Sequence, residues 1–245
     1  MRLDKYLSHC GVGTRKKVKK HITQKRVTIN GNTSIDPGTQ VDPDRDVVCM
    51  DGREIHYEQY VYLMMNKPSG VITATEDVKD RTVLDLIDLP VPKDLAPVGR
   101  LDKDTVGLLL LTNDGALAHR LLAPRSHVDK TYFAIVSGED RHVDETDVKA
   151  FKKGLELSDF TCMPAELLIV EKKPDHITET RVTIREGKFH QIKRMFAARG
   201  FTVTYLKRES MGPITLDPAL SEGTYRMLTE DEKGLIAQDT ENMVE

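Results

Sequence analysis

The chain has 245 residues, of which 39% are hydrophobic and 31% charged, and its formal net charge is −3. This length permits one large domain or a small domain joined to a larger one, and the apolar fraction is too high for a disordered chain. The sequence contains no apolar run long enough to span a bilayer, and its first residues lack the pattern of a secretory signal. We therefore expect a cytoplasmic protein with no membrane anchor.

The three cysteines, Cys10, Cys49 and Cys162, are widely spaced and form no C-x-x-C pair. The eight histidines lack the H-x-x-x-H and H-x-x-E-H spacings of metal sites. These patterns predict neither a disulfide framework nor a transition-metal site. We expect chemistry that needs no metal and no cofactor.

Charge is distributed very unevenly along the chain. Residues 1–30 carry nine basic side chains against Asp4 alone, a local charge of +8, so that the remainder is −11 when the whole chain is −3. From Asp217 onward eight acidic residues face only Arg226 and Lys233. We interpret this acidic C-terminal stretch as a solvated tail that favours solubility.

The basic N-terminal segment predicts two short helices followed by strands. Leu3, Tyr6 and Leu7 recur at helical spacing, and Thr14 can cap a second helix that runs to about Gln24. One face of the second helix is apolar, and five cations cover the rest without any intervening Glu: Arg15, Lys16, Lys17, Lys19 and Lys20. Such a run is often only a solvated face, but these uncompensated charges repel one another, and an RNA phosphate backbone would relieve that repulsion. The pattern favours phosphate binding.

The next segment, V-T-I-N-G at residues 27–31, alternates polar and apolar residues and ends in the hairpin signal Asn30-Gly31. Together with R-L-D-K-Y-L at residues 2–7 and Thr14-Arg15, it resembles the small RNA-binding domain named after ribosomal protein S4, over residues 1–48. That domain commonly has Gly before the strand, where this chain has Lys25-Arg26, so we expect a less tight turn there. The resemblance implies that Arg15 and the lysines after it contact RNA.

A turn-rich stretch follows, and we place the domain boundary near Gln59, which divides the chain into residues 1–59 and 60–245. The second region begins with a strand over residues 60–65, and its helices and strands do not alternate regularly. It therefore predicts an α+β domain with a mainly antiparallel sheet. Helices are predicted at 82–87, 115–122, 144–154 and 189–199, and further strands at 132–136, 180–185 and 203–208.

The segment richest in chemistry reads G-R-L-D-K-D-T-V-G-L-L-L-L-T-N-D-G from Gly99 to Gly115. It places four polar side chains on a loop, namely Arg100, Asp102, Asp104 and Thr105. The loop comes directly before the apolar run 108–111, which predicts a strand buried on both faces. Gly99 and Gly107 bracket the loop and permit a tight turn or close approach of a ligand. On its own, D-x-D-T is typical of an ordinary polar turn. The surrounding sequence must therefore distinguish a polar turn from an active-site loop.

This segment resembles the active-site motif of pseudouridine synthases of the RsuA and RluB type. Three further segments resemble that family in the same order: Asn66-Lys-Pro-Ser-Gly, Lys130-Thr-Tyr and Glu186-Gly-Lys-Phe-His-Gln-Ile-Lys-Arg-Met-Phe. The resemblance implies the pseudouridine synthase fold and the isomerisation of a uridine in ribosomal RNA, with base flipping. Residues 206–214 and the Lys193-Arg194 pair are similar to those of enzymes that act on small-subunit RNA.

The resemblance also implies roles for individual residues. Asp102 matches the essential aspartate, whose carboxylate attacks either the ribose or the base. Lys193 stands where a basic residue, Arg in many relatives, pairs with that aspartate, and Tyr132 matches the tyrosine that stacks on the target base and assists proton removal from C5. Arg100 matches an arginine that contacts RNA and can fill the space left by the flipped base.

His190 and Gln191 are expected to orient the loop or to contact phosphate rather than to transfer protons. The expected partner is ribosomal RNA within a small-subunit assembly intermediate, with a monomeric enzyme and no membrane partner.

Three alternatives remain at this point. The same reaction could take place on large-subunit RNA. A ribosome-associated RNA-binding protein without catalysis would need only the basic N-terminus. Asp102-Lys-Asp-Thr-Val also fits D-x-D-x-(T/V), the nucleophile loop of haloacid-dehalogenase-like phosphatases, but there the motif should follow an apolar strand in a βαβ unit.

Overall fold

A computed structural model describes residues 1–57, 59–88, 92 and 94–242 of the chain. The chain divides into two compact units, the first comprising Met1–Val61 and Ile87–Leu95 and the second Tyr62–Leu86 and the chain from Ala96 onward. Within the described ranges, no helix has the length and apolar character needed to cross a bilayer.

The first unit packs two helices against a small antiparallel sheet. The helices are α1 (Leu3–His9) and α2 (Arg15–Thr23), and the strands are β1 (Val27–Ile29), β2 (Asn32–Thr33), β3 (Val48–Met50) and β4 (Arg53–Glu54), in the order β2-β1-β3-β4. The predicted apolar residues Leu3, Tyr6, Leu7, Val18 and Ile22 form its core together with strand residues. Burial raises the pKa of Tyr6 to about 12.

The local signals of this unit act as predicted. The Thr14 hydroxyl accepts a hydrogen bond from Lys17 N at 3.4 Å and so caps α2. Asn30 and Gly31 both have positive φ, 50° and 79°, which is the two-residue turn that suits a β-hairpin. The expected loosening near residue 25 is not seen, because Lys25 itself adopts the left-handed conformation, at φ 63°, that glycine would adopt without strain.

Replacing Lys25 by Gly should therefore stabilise this unit by about 1 kcal/mol, since a non-glycine residue at positive φ is strained by roughly that amount or more. Hydrogen exchange of the β1 amides would measure the gain as a rise in their opening free energy. Lys25→Ala is the matched control and should leave exchange unchanged because it keeps the Cβ. Faster exchange in Lys25→Gly would contradict the prediction.

The second unit is an α+β domain built on one large sheet. Its helices are α3 (Gly115–Leu122), α4 (Glu145–Lys153), α5 (Gln191–Ala197) and α6 (Glu230–Asn242). Its strands are β5 (Tyr62–Lys67), β6 (Ala96–Pro97), β7 (Val106–Thr112), β8 (Lys130–Gly138), β9 (Glu166–Lys173), β10 (Ile177–Ile184), β11 (Phe201–Met211), β12 (Ile214–Thr215) and β13 (Tyr225–Met227).

The main strand order is β13-β5-β7-β11-β8-β10-β9, and all described pairs are antiparallel except β7 with β11. The prediction of a mainly antiparallel sheet is thus confirmed. Strand β7 lies inside this sheet and every one of its residues is buried, as the apolar run predicted. Gly107 lets β7 and β11 approach each other, because a Cβ there would lie 2.3 Å from the Arg208 carbonyl oxygen.

Two expectations for this unit are wrong, and one strand was not predicted. The acidic C-terminal stretch is not a free tail: β13 pairs with β5, Leu228 and Ile236 are buried, and Arg226 forms ion pairs with Asp217 and Glu232. The helix predicted at 82–87 is only a short 3₁₀ turn at Leu84–Leu86. Strand β9 was not predicted, because its exposed edge position leaves charged residues along much of its length.

Candidate active site

The loop that carries the two aspartates connects β6 to β7. It accepts hydrogen bonds from the Asn66-Lys-Pro-Ser-Gly segment. The Lys67 ammonium donates hydrogen bonds to the carbonyls of Lys103 (3.3 Å) and Thr105 (2.9 Å) and to that of Pro68 (3.0 Å). Gly70 N donates to the Lys103 carbonyl as well, at 2.8 Å. These bonds fix the backbone on both sides of Asp104 and so restrict where the neighbouring carboxylates can point.

Lys67 is fully buried, and burial lowers its pKa to about 8 even though Asp104 and Asp102 act in the opposite direction. Thr73 adds a second clamp, since its hydroxyl donates to the Leu101 carbonyl at 2.8 Å and accepts from Leu101 N at 3.1 Å. The sequence marked residues 66–70 only as a family motif. Their contact with the aspartate loop, and the part played by Thr73, emerge from the structure.

The structure brings Asp102 and Lys193 together although they lie far apart in sequence. Lys193 Nζ is 3.2 Å from Asp102 Oδ2, and it donates a shorter hydrogen bond, 2.6 Å, to Asp104 Oδ1. Asp102 is 27% exposed and Asp104 is 69% exposed. The ammonium is therefore shared by two carboxylates, which the sequence did not predict.

The charges of this cluster support one another. Burial acts to lower the pKa of Lys193, but the hydrogen bond to Asp104 and the charge of Asp102 outweigh burial and leave this pKa above its ordinary value. The hydrogen bond from Lys193 holds the pKa of Asp104 below its ordinary value. Lys193 is consequently a stable cation at neutral pH, able to stabilise a charged Asp102.

His190 and Gln191 occupy the start of α5 beside the same cluster. His190 Nε2 lies 3.6 Å from Asp102 Oδ1. Gln191 is buried, its side-chain oxygen accepts a hydrogen bond from Lys188 N at 3.0 Å, and its amide nitrogen donates to Glu186 at 2.6 Å. Gln191 thus ties the loop before α5 into a fixed conformation, in line with its expected orienting role.

Asp102 lines a small cleft that is open to solvent. Tyr132, on β8, lines this cleft and is only 8% exposed. Arg100 lines it too, and its side chain is exposed. Asp102, Tyr132, Lys193 and Arg100 therefore converge on one cavity, which holds both an anionic side chain and an aromatic ring.

The predicted RNA-binding cations of the N-terminus belong to the first unit and do not line the cleft. All are exposed on α2: Arg15, Lys16, Lys17, Lys19 and Lys20. In the part of the chain that the structure describes, no three His, Cys, Asp or Glu side chains are grouped so as to hold a metal ion.

The sequence and the fold match known proteins over nearly the whole chain. The sequence model of the RNA pseudouridylate synthase family matches residues 61–198, and that of the S4 domain matches residues 1–47. A crystal structure of pseudouridylate synthase superimposes with a TM-score of 0.66 at 35% identity, covering 96% of this chain and 99% of that one.

The chain therefore belongs to the RNA pseudouridylate synthase family and is an isomerase. Its S4 domain and its relatives place it with the RsuA type, as the motifs implied. The uncharacterized RNA pseudouridine synthase YtzG of Bacillus subtilis is 44% identical, covering 96% of this chain and 98% of that protein. Ribosomal small subunit pseudouridine synthase A of Escherichia coli K12 is 41% identical, covering 95% and 98%.

Membership of this family removes two alternatives. The phosphatase reading does not fit, because Asp102 comes before strand β7 in a mainly antiparallel sheet instead of following a strand in a βαβ unit. A purely binding protein does not fit a family of isomerases.

Proposed function

We propose that this enzyme converts one uridine of small-subunit ribosomal RNA to pseudouridine and that Asp102 is its nucleophile. The observation that carries the nucleophile assignment is the position of the two carboxylates. Asp102 lines the cleft beside Tyr132, whereas Asp104 is 69% exposed and lies outside the cleft lining. The relatives from Escherichia coli and Yersinia pestis, both called ribosomal small subunit pseudouridine synthase A, support the substrate.

The reaction sets clear requirements for the cleft. The bond between uracil N1 and ribose C1′ is broken, a bond between C5 and C1′ is formed, C5 loses a proton and N1 gains one, so the atoms balance. A base inside a helix cannot reach a recessed carboxylate, so the uridine must be flipped out of its stack. Asp102 then supplies the nucleophile, by attack on the ribose or on the base.

The other cleft residues serve this step in distinct ways. The Lys193 cation balances the negative charge of Asp102 once RNA excludes water from the cleft. Tyr132 lies where its ring can stack on the flipped uracil and its hydroxyl can help remove the C5 proton. Arg100, exposed at the cleft, contacts the RNA and fills the place that the base leaves.

Binding is divided between the two regions of the chain. Residues 1–59 add affinity through the exposed cations of α2, and residues 60–245 select and modify the base. We propose that the enzyme acts as a monomer in the cytoplasm on a small-subunit assembly intermediate. No step of this scheme calls for a cofactor.

The deciding experiment maps pseudouridine in ribosomal RNA from cells with and without the gene, complemented by wild type or Asp102→Asn. The proposal predicts that one small-subunit site disappears and returns only with wild type. Loss of a large-subunit site would correct the substrate, and restoration by Asp102→Asn would reject the nucleophile. An unchanged map would reject the proposed substrate altogether.

A triple change of Lys16, Lys17 and Lys19 to Ala should weaken RNA binding and flatten its salt dependence. Each lost phosphate contact lowers the slope of log affinity against log salt by about 0.9, so the slope should fall by about 2 to 3. Filter binding of a small-subunit RNA transcript at several salt concentrations measures both quantities. Lys149→Ala, an exposed lysine on α4, is the control, and an unchanged slope in the triple variant would contradict the role of α2.

A further inference from the structure

Phe189 is exposed to a degree that its packing does not explain. Of the six phenylalanines, all within the described ranges, Phe189 is 76% exposed, while Phe151, Phe196 and Phe201 are buried. The helix that was predicted at 189–199 begins only at Gln191, so Phe189 lies before it. The ring therefore stands on the loop before α5 instead of contributing to the core.

A single exposed apolar side chain is common and by itself indicates nothing. This ring, however, stacks on the ring of His190, with centroids 3.8 Å apart and planes 19° apart. The other edge of His190 reaches the active site, since Nε2 is 3.6 Å from Asp102 Oδ1. A single ring, that of His190, thus separates Phe189 from Asp102.

The two rings are held in place by the loop. His190 has a left-handed φ of 50°, and its carbonyl accepts the helical hydrogen bond from Arg194 N at 2.9 Å. The Gln191 side chain accepts a hydrogen bond from Lys188 N and donates one to the Glu186 carboxylate. The backbone that carries the two rings is therefore fixed by hydrogen bonds.

The charge around the rings points to a nucleic acid as the ligand. Arg100, Lys188 and Lys193 line the same cleft as His190, so cations and aromatic rings lie in one cleft beside Phe189. This combination is typical of sites that bind single-stranded nucleic acid, where bases stack on rings and cations neutralise the backbone.

We propose that the free face of Phe189 is a second base-binding site, which stacks the base of a nucleotide adjacent to the target uridine. This inference rests on the proposed function, since it assumes that a uridine occupies the cleft at Asp102. The short path from Asp102 through His190 to Phe189 places the site at a neighbouring nucleotide rather than a distant one. Because every base has a stacking face, the site holds the strand in position with little regard to base identity.

The test compares Phe189→Ala, Phe189→Leu and Phe189→Tyr in the full chain. The probe is a transcript fragment around the mapped uridine, labelled with tritium at C5 so that turnover releases tritium. Phe189→Ala should weaken affinity about 5- to 150-fold, the range expected for loss of one stacked base, with kcat at saturating RNA nearly unchanged. Phe189→Tyr should restore affinity, and Phe189→Leu should not, because Leu is apolar but cannot stack.

A second set of fragments carries one abasic nucleotide at each position beside the uridine. At one position the abasic change should weaken wild type by the same factor, and Phe189→Ala should add nothing to it. Equal affinity of wild type and Phe189→Ala, full rescue by Phe189→Leu, or additive losses at every position would overturn the inference. Affinity is measured by filter binding apart from turnover, so a wild type that binds but releases no tritium counts against the proposed function instead.

Discussion

Replacing Asp102 by Asn should lower the rate of pseudouridine formation by about 1,000-fold or more while leaving RNA affinity nearly unchanged. Removing a nucleophile that acts in concert with its partners costs at least this much in well-studied enzymes. The amide has almost the same size as the carboxylate, and Lys193 keeps its 2.6 Å hydrogen bond to Asp104, so the cleft should keep its shape. Tritium release from C5-labelled RNA measures the rate, and filter binding measures affinity.

Asp104→Asn is the matched control, since it removes one negative charge from the same Lys193 cluster. Asp104 lies outside the cleft lining, so this variant should lose less than about tenfold in rate at neutral pH. If Asp104→Asn were the more damaging change, the nucleophile would be Asp104. A fully active Asp102→Asn enzyme would exclude Asp102.

Helices whose ends carry local capping residues lie close to their predicted bounds. Helix α3 has its predicted bounds, and in the structure Asp114 accepts a hydrogen bond from Leu117 N and caps the helix. Helix α4 is bounded by the Asp144 capping box and by Gly154, whose φ of 89° ends the helix. Such signals depend only on neighbouring residues, so they can be read directly from the chain.

Elements that depend on distant partners were predicted less well. The exposed positions of strand β9 mix the apolar Leu168 and Val170 with charged residues, so that only its pairing with β10 defines it. Part of the acidic C-terminal stretch, Tyr225–Met227, forms a strand because it pairs with β5. No local sequence pattern predicts this pairing. Helix α6 carries Ile236 into the core, and the surrounding acidic residues hid this contact.

The residues of the candidate site likewise fall into two groups, those that the sequence predicted and those that only the structure shows. The family motifs identified Asp102, Tyr132 and Lys193, which converge on one cleft although no spacing rule links them. The second partner of Lys193, Asp104, could not be predicted, because sharing one ammonium between two carboxylates depends on three-dimensional geometry. The buried Lys67 beneath the loop and the exposed Phe189 beside it needed the structure for the same reason.

Replacing Lys193 by Met should lower kcat/KM about 30- to 150-fold, which corresponds to about 2 to 3 kcal/mol for one partner of a partly buried charge pair. Without the ammonium, Asp102 and Asp104 lose the cation that they share, and the charge of Asp102 in the RNA-bound cleft is no longer balanced by Lys193. Lys193→Arg keeps the charge and should retain most of the activity, with some loss because the planar guanidinium differs in shape. Activity in Lys193→Met equal to that of wild type would contradict the role of the ion pair.

The pH dependence gives an independent measurement of the same pair. The ammonium of Lys193 acts only while protonated, so its contribution is present below its pKa and is lost as pH rises through that value. Because this pKa lies above the ordinary value of 10.5, wild type should lose no activity through Lys193 below that pH. Asp104→Asn replaces the charged acceptor that helps raise the pKa of Lys193 by a neutral amide, so its alkaline loss of kcat/KM should begin at lower pH, and Lys193→Arg should remove this loss altogether. Coinciding profiles for wild type and Asp104→Asn, in single-turnover reactions too short for RNA hydrolysis, would mean that Asp104 does not control the charge of Lys193.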